Sequence, residues 1–259
     1  PPWGDRMNTT LAIARKEIKV YFASPLFYVV TALFILATGL LFAFTIGGPN
    51  ASADQTALLR NSFSILLFLM ILLTPLLTMR LIAQEKQEGT IELLLTQPVT
   101  DLQLVLGKYL AALVMLAAML ATTLIQVLVL VFSAVDKHRF LFLSIGNIDT
   151  ATLLAGYLGM ILLLGGYMSI GLFASALTGN QIIAAFVGIV LLLVLLVIDA
   201  AASLAQPPLS DFFASVGPRS HADNFARGLI TAPDVVYALS LIFVPIFLAT
   251  VILGARKWR

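Results

Sequence analysis

The stretch that decides the fold is RLIAQEKQEGTIELLLTQPVTDLQLVLGK, residues Arg80 to Lys108, which lies between two long apolar runs. It carries three of the chain's four glutamates, Glu85, Glu88 and Glu92. A segment with this many charges is expected to lie at the water-facing side of the membrane, because burying unpaired charges in an apolar medium is very costly. The stretch therefore predicts a polar, helical loop between two membrane-spanning helices, of the kind that docks a water-soluble partner.

The composition of the whole chain also indicates a membrane protein. Hydrophobic residues make up 60% of the chain and charged residues 11%, and the mean hydropathy is +1.03. A soluble domain carries about 25% charged residues. The chain has no cysteine, which excludes disulfides, thiolate metal sites and cysteine nucleophiles. The net charge of +2 is too small and too scattered for a nucleic-acid-binding surface.

Six apolar segments are long enough to cross a membrane as helices. A span needs roughly 20 apolar residues to cross about 30 Å of hydrocarbon. The segments lie at about 25–46, 63–79, 102–132, 153–177, 182–202 and 235–253. They are continuous apolar runs without the alternation of a membrane barrel. The sequence therefore predicts one all-α polytopic transmembrane domain over residues 1–259, with a loop at 80–101 on one side and a loop at 204–233 on the other.

The distribution of lysine and arginine predicts the orientation of these spans. With the N-terminus in the cytoplasm, ten basic residues and all four glutamates lie on the cytoplasmic side, and five basic residues lie on the other. Cytoplasmic loops carry an excess of lysine and arginine. We therefore expect both termini and the 80–101 loop to lie in the cytoplasm, and the 204–233 loop to be extracytoplasmic.

Residues 8–23 are predicted to form an amphipathic helix at the membrane interface. Apolar or aromatic side chains recur at helical spacing, at Leu11, Ala14, Ile18 and Tyr21. The charged side chains that fill the other face are Arg15, Lys16, Glu17 and Lys19. A helix of this kind lies flat in the headgroup layer. Two roles stay open for it: a membrane anchor only, or an anchor that also contacts a cytosolic partner.

Turn and capping signals divide the stretch from Arg80 to Lys108. Gly89 indicates a turn, and glycine is the residue that readily adopts a positive φ where a turn requires one. Pro98 ends a short helix. Thr100 and Gln103 form a capping box for a new helix that enters the third span. On these residue types alone, a solvated connector without a partner explains the pattern as well as a docking element does.

The same stretch resembles the loop between the second and third spans of type-2 ABC exporter permeases. The matching residues are Glu85-Lys86, Gly89-Thr90, Glu92, Leu94-Leu95, Pro98-Val99-Thr100 and Val105 to Ala111. Further residues resemble the subgroup related to the gliding-motility (Gld-type) permeases, namely Arg15 to Tyr28, Gly171 to Ser175, Thr178, Asn180-Gln181 and Asp234 to Tyr237. The resemblance covers essentially Leu11 to Arg259.

This resemblance implies the membrane subunit of an ATP-driven exporter. In that family two permease subunits pair, as a homodimer or a heterodimer, and each docks a separate ATPase subunit through this loop, called the coupling helix. The residues expected to dock the ATPase are Glu85, Glu88, Gly89, Thr90, Glu92, Leu94, Leu95 and Pro98. ATP and magnesium are then expected on the partner ATPase, and the permease in a bacterial or archaeal inner membrane. An extracytoplasmic accessory protein is a further candidate partner, and no motif indicates the substrate.

No residue pattern indicates an enzyme, a cofactor site or a metal site. Tyr109 follows the only Gly-Lys pair, so the chain has no Walker A motif. It has two histidines and no H-E-x-x-H motif. Asp199 is the one acid near the end of an apolar run, where a helix-end contact is favoured over a proton carrier. Intramembrane ionisable residues usually mark ion-coupled pathways, and few occur here. A nucleotide-independent secondary transporter or a membrane scaffold stays open as the alternative.

Two further patterns concern packing. Small residues recur in the fourth span, at Ala151, Ala155, Gly159, Gly171, Ser175 and Gly179. Such residues allow close approach of helices in lipid, and packing within the subunit is favoured over a dimer seam. In the 204–233 loop, Gln206-Pro207-Pro208 ends the fifth span. The mixture of apolar and charged residues after it predicts short interfacial helices.

Overall fold

The computed structural model describes residues 3–47, 55–90, 99–133 and 150–255. These described residues form ten α-helices and contain no strand, as the all-α prediction requires. In chain order the helices are α1 (Trp3–Phe22), α2 (Pro25–Gly47), α3 (Gln55–Thr78), α4 (Arg80–Gln87), α5 (Asp101–Ser133), α6 (Thr150–Leu177), α7 (Gln181–Leu204), α8 (Leu209–Val216), α9 (Pro218–Ala226) and α10 (Ala232–Ala255).

Six spans in this bundle are long and apolar enough to cross a membrane, which confirms the six-span prediction. They are α2, α3 together with α4, α5, α6, α7 and α10. Their bounds follow the predicted segments, except that α3 begins at Gln55 rather than at Phe63. The residues before Phe63 include polar side chains, so they extend the helix without extending the apolar run.

The predicted capping box begins α5. The Thr100 N–H donates to Gln103 Oε1 at 2.9 Å, and the Gln103 N–H donates to Thr100 Oγ1 at 3.3 Å. These reciprocal bonds satisfy two backbone donors that a helix start otherwise leaves unpaired. At 33 residues, α5 is about 50 Å long, which exceeds the roughly 30 Å of hydrocarbon that a span must cross.

The central helix of the bundle is α6. Within its apolar window 78% of the residues are buried inside the chain, more than in any other of the six spans. Close approach to its neighbours depends on glycine: a Cβ at Gly159 would lie 2.1 Å from Cγ of Phe225 in α9, and one at Gly171 would lie 2.1 Å from Oγ1 of Thr78 in α3. Gly159 and Gly171 of the small-residue row therefore pack within the subunit.

Two short helices, α8 and α9, form in the loop after the fifth span. The fifth span, α7, ends at Leu204, before the predicted break at Gln206-Pro207-Pro208. The first residues of α9 are held by Asp199 of α7, whose Oδ1 accepts a hydrogen bond from the Arg219 N–H at 3.2 Å. The N-cap residue of α9 is Gly217, which has no side chain to do this. Asp199 therefore makes the helix-end contact that the sequence favoured.

A buried carboxylate joins α9 to the start of α10. Asp234 is 2% exposed, and its Oδ1 lies 2.6 Å from His221 Nδ1. Thr231 Oγ1 donates to Asp234 Oδ2 at 2.6 Å, and Asn224 Nδ2 lies 3.2 Å from both carboxylate oxygens. The His221 ring also stacks on Tyr237, with ring centroids 4.0 Å apart. These contacts hold α9 against α10 on the side of the bundle opposite α4.

Candidate functional site

The candidate site lies where α4 leaves the bundle. Met79 alone separates α4 from α3, and α4 ends at Gln87. Four of the predicted docking residues are described, namely Glu85, Glu88, Gly89 and Thr90. The other four lie outside the described residues, namely Glu92, Leu94, Leu95 and Pro98. Glu88 is exposed, and its Oε1 accepts a hydrogen bond from Gln84 Nε2 at 2.8 Å.

The turn predicted at Gly89 is present and has the conformation that favours glycine. Its φ is +70°, in the left-handed region that side-chain-bearing residues rarely adopt. A Cβ at this position would meet no atom within 4 Å. The requirement for glycine is therefore conformational and does not come from crowding.

A serine from α6 fixes the first turn of α4. Ser175 Oγ donates to the Met79 carbonyl at 2.8 Å and accepts from the N–H groups of Ile82 and Ala83 at 3.0 and 2.9 Å. The hydroxyl thus lies within the helical ladder, between the Met79 carbonyl and the Ala83 N–H. A side chain inserted in this way interrupts a helix, and this explains why α3 and α4 separate at Met79.

Lys108 of α5 is buried between two carboxylates. Its side chain is 1% exposed, and its Nζ lies 2.7 Å from Glu85 Oε1 and 3.1 Å from Glu17 Oε1. Because Glu85 belongs to α4 and Glu17 to α1, one cation joins three helices. The second oxygen of Glu85, Oε2, is also buried and has no hydrogen-bond partner among the described residues.

The position of Glu17 corrects the predicted pattern of α1. The sequence places Glu17 on a polar face with Arg15, Lys16 and Lys19, but Glu17 is 7% exposed while the three basic residues are exposed. Leu11, assigned to the apolar face, is 47% exposed. The physical reason is that α1 packs on α5, where Lys108 supplies a buried counter-charge.

A glycine allows α1 to lie directly on α5. A Cβ at Gly107 would lie 2.8 Å from Cγ2 of Ile13 and 3.0 Å from the carbonyl oxygen of Thr10. On the same side of α1, Ala14 is 4% exposed. This close contact carries Glu17 to within reach of Lys108, so the Gly-Lys pair serves helix packing and charge pairing at once.

A second polar contact ties α1 to the end of α3. The Tyr21 hydroxyl donates to the Leu77 carbonyl at 2.7 Å, and the Arg80 guanidinium lies 5.1 Å from the centre of the Tyr21 ring. Arg80 Nη1 also donates to Ser24 Oγ at 2.6 Å. Burial raises the pKa of the Tyr21 phenol, so it remains a protonated donor.

These contacts border a cavity of about 370 Å³ between α1 and α4. Its lining residues are Lys16, Glu17, Val20, Arg80, Leu81, Gln84, Glu85, Glu88, Thr90 and Lys108. Three cations and three carboxylates therefore lie around one opening, beside the point where the described part of the loop ends. Within the parts of the chain that the structure describes, no three His, Asp or Glu side chains are grouped to hold a metal ion.

The sequence pattern missed the roles of Lys108 and Ser175. From the sequence, Lys108 was used only as one of the cytoplasmic basic residues and as part of the family motif. A lysine about 10 Å inside an apolar helix is nevertheless a signal that it has an anionic partner. Ser175 carries no comparable signal, because a serine in an apolar span also satisfies itself on its own helix.

Comparison with known families covers nearly the whole chain. The family model described as ABC-2 family transporter protein matches residues 11–258. No curated protein matches the chain significantly.

Proposed function

The chain belongs to the ABC-2 family of transporter proteins and is therefore the membrane permease of an ABC transporter; from this premise we propose that it is the permease subunit of an exporter that pairs with a second permease and docks separate ATPase subunits. ATP and magnesium bind the ATPase in this proposal. We also propose an inner-membrane location with cytoplasmic termini, and membership of the Gld-type subgroup on the motif residues given above.

The observation that carries the proposal is the way α4 is fastened at its base. Ser175 and the Ala176 carbonyl, which accepts from Lys86 Nζ, tie α4 to α6. Lys108 ties it to α5 and, through Glu17, to α1. A force applied at the exposed end of α4 is therefore passed to three other helices rather than absorbed in a loose connector.

The exposed end of α4 has suitable chemistry for a protein partner. Glu88 offers a carboxylate to a basic group, and charge-assisted hydrogen bonds of this kind are stronger than neutral ones. Leu94 and Leu95 are proposed as apolar anchors for a pocket on the ATPase. Buried apolar anchors dominate many interfaces, while single rim charges contribute little.

Co-purification with the ATP-binding-cassette ATPase encoded nearest to this chain tests the proposal. We expect the wild type to retain the ATPase and Leu94→Ala with Leu95→Ala to lose it, since truncating such anchors costs about 2 kcal/mol or more, roughly 30-fold in Kd. The matched control is Leu209→Ala with Phe212→Ala, two exposed apolar residues on α8. Equal ATPase recovery from the wild type and both double variants would show that this loop is an ordinary connector.

A further inference from the structure

A second cavity, of about 380 Å³, lies on the side of the bundle away from α4. Its lining residues are Leu41, Ser64, Ile65, Leu67, Phe68, Ile71, Tyr167, Leu196, Asp199, Pro218 and Arg219. The volume falls in the range of about 300–1,000 Å³ that small-molecule sites occupy. Most of the lining is apolar, and the two charged residues belong to α7 and α9.

Helix geometry indicates the depth at which this cavity lies in the membrane. Thr78 and Leu177 end α3 and α6 on the α4 side. At 1.5 Å per residue, Ile71 lies about 10 Å from that side and Tyr167 about 15 Å. Asp199 lies about 27 Å from the start of α7, which begins on the same side. The apolar part of the cavity is therefore at acyl-chain depth, and the charged part is at headgroup depth.

The cavity opens sideways, toward the surroundings of the bundle. Phe68 on one wall is 65% exposed and Leu41 on another is 40% exposed. A ligand already dissolved in the membrane can enter by this route without passing through water. The apolar walls and lateral opening suit a long hydrocarbon chain.

The polar end presents one negative and one positive side chain. Asp199 is half-buried, with Oδ1 engaged by the Arg219 N–H, and both residues line the cavity. An anionic head would be repelled by Asp199, and a cationic head by Arg219. A head that carries both charges meets a complementary partner for each.

We propose that this cavity binds a zwitterionic phospholipid of the ethanolamine type from the membrane leaflet opposite α4. One acyl chain lies along Ile65, Phe68 and Leu196, the ammonium group donates to Asp199, and the phosphate pairs with Arg219. Charge-assisted hydrogen bonds to ammonium and to phosphate favour this arrangement. The site is independent of ATPase docking and exists in the permease alone.

Photo-crosslinking of the purified permease in nanodiscs tests this site. The probe is phosphatidylethanolamine with a diazirine on one acyl chain, and the comparison probe is phosphatidylglycerol with the same tail. We expect the ethanolamine lipid to label the peptides that contain Phe68 and Leu196 at least fivefold more. Asp199→Asn should reduce that preference to less than twofold, whereas Arg219→Gln should lower the labelling by both probes, because both lipids carry the phosphate that pairs with Arg219. Leu196→Trp, which fills the cavity, should remove the labelling by either probe.

The variants are chosen to keep the fold. Asp199→Asn retains an oxygen that can accept from the Arg219 N–H, and Arg219→Gln retains that N–H. The controls are Asp211→Asn and Arg227→Gln, exposed residues of the same loop that do not line the cavity, and both should label as the wild type does.

Equal labelling by the two lipids would overturn the proposal. A disulfide between two copies carrying Phe68→Cys, with no lipid labelling, would also overturn it by showing that a second copy covers the opening. The measurement needs no ATPase, so its failure is distinct from failure of the docking proposal.

Discussion

At the residue scale, Lys108 shows how a membrane protein keeps a charge below its surface. A buried ion pair regains its desolvation cost only if both signs are present with good geometry. Lys108 has two carboxylates within 3.1 Å, and Glu17 and Glu85 share this one cation. Each of the three side chains is therefore stable in its position only because the others are there.

Removing the cation should destabilise the permease strongly. Lys108→Ala leaves Glu17 and Glu85 close together and without a counter-charge, and breaking a buried pair in this way costs about 3–5 kcal/mol. We expect a lower thermal unfolding midpoint in detergent, with Lys16→Ala, an exposed lysine of the same region, as the control. Glu17→Gln should cost less than Lys108→Ala, because Glu85 still pairs with Lys108. Identical midpoints for the two lysine variants would contradict the importance of this ion pair.

The positive φ of Gly89 makes a separate prediction. Gly89→Val should distort the turn, because a left-handed conformation costs a side-chain-bearing residue about 1–2 kcal/mol and a β-branched residue resists it most. We expect reduced ATPase stimulation in reconstituted membranes. Gly39→Val is the matched control, since Gly39 also has open space around it but lies inside α2 without a positive φ. Gly89→Asn should retain more activity than Gly89→Val, because asparagine tolerates this conformation better.

Local residue signals were readable from the sequence, and distant pairings were not. Gly89, Thr100 and Gln103 act through neighbours within a few positions, so their roles follow from spacing alone. The partners of Lys108 lie 91 positions away, at Glu17, and across the loop, at Glu85. Nothing in a single sequence indicates which helices bring those side chains together.

At the element scale, α4 is a helix whose start depends on another helix. The Ser175 hydroxyl bonds three backbone groups of the α3–α4 junction. Gly171, one turn earlier in α6, lets α3 approach closely enough for this contact. The apolar pattern predicted that these segments are helical, and Pro75, one turn before Met79, is a local signal for a bend, but the insertion of the Ser175 side chain at this junction could not be predicted.

Loss of the Ser175 hydroxyl should loosen this junction. Ser175→Ala removes one donor and two accepted hydrogen bonds from a fully buried position, where unpaired groups cost about 1–3 kcal/mol. We expect a lower unfolding midpoint and weaker co-purification of the ATPase. The control is Ser203→Ala, whose hydroxyl is exposed and bonds only the Ala200 carbonyl among the contacts described for it. Full partner binding by Ser175→Ala would argue against α4 as the coupling element.

At the scale of the whole molecule, hydropathy was sufficient to predict six spans but could not predict their arrangement. Each span is recognisable alone, because crossing a membrane requires a long apolar segment. The central position of α6 depends on which small residues face which neighbours, as at Gly159 and Phe225. Similarly, the two short helices of the 204–233 loop were predictable from their mixed composition, and a helix-end contact was expected for Asp199, but its partner in α9 could not be predicted.

The absence of cysteine allows a direct test of the proposed topology. A cysteine at Asp211 or Arg227, both exposed, should react with a membrane-impermeant thiol reagent added outside intact cells. A cysteine at Gln87, exposed at the end of α4, should react only after the membrane is opened. Positive residues favour the cytoplasmic side, and this sets the expected result. Labelling of position 87 from outside would invert the orientation and place α4 out of reach of a cytoplasmic ATPase.

The length of α5 has a mechanical consequence. Lys108, held by two carboxylates, lies about 10 Å from the Asp101 end of this helix and about 38 Å from the Ser133 end. When a rigid helix rotates about a fixed point at Lys108, its Ser133 end moves almost four times as far as its Asp101 end. With α5 rigid, a displacement of about 1 Å at its Asp101 end would become one of roughly 4 Å at its Ser133 end.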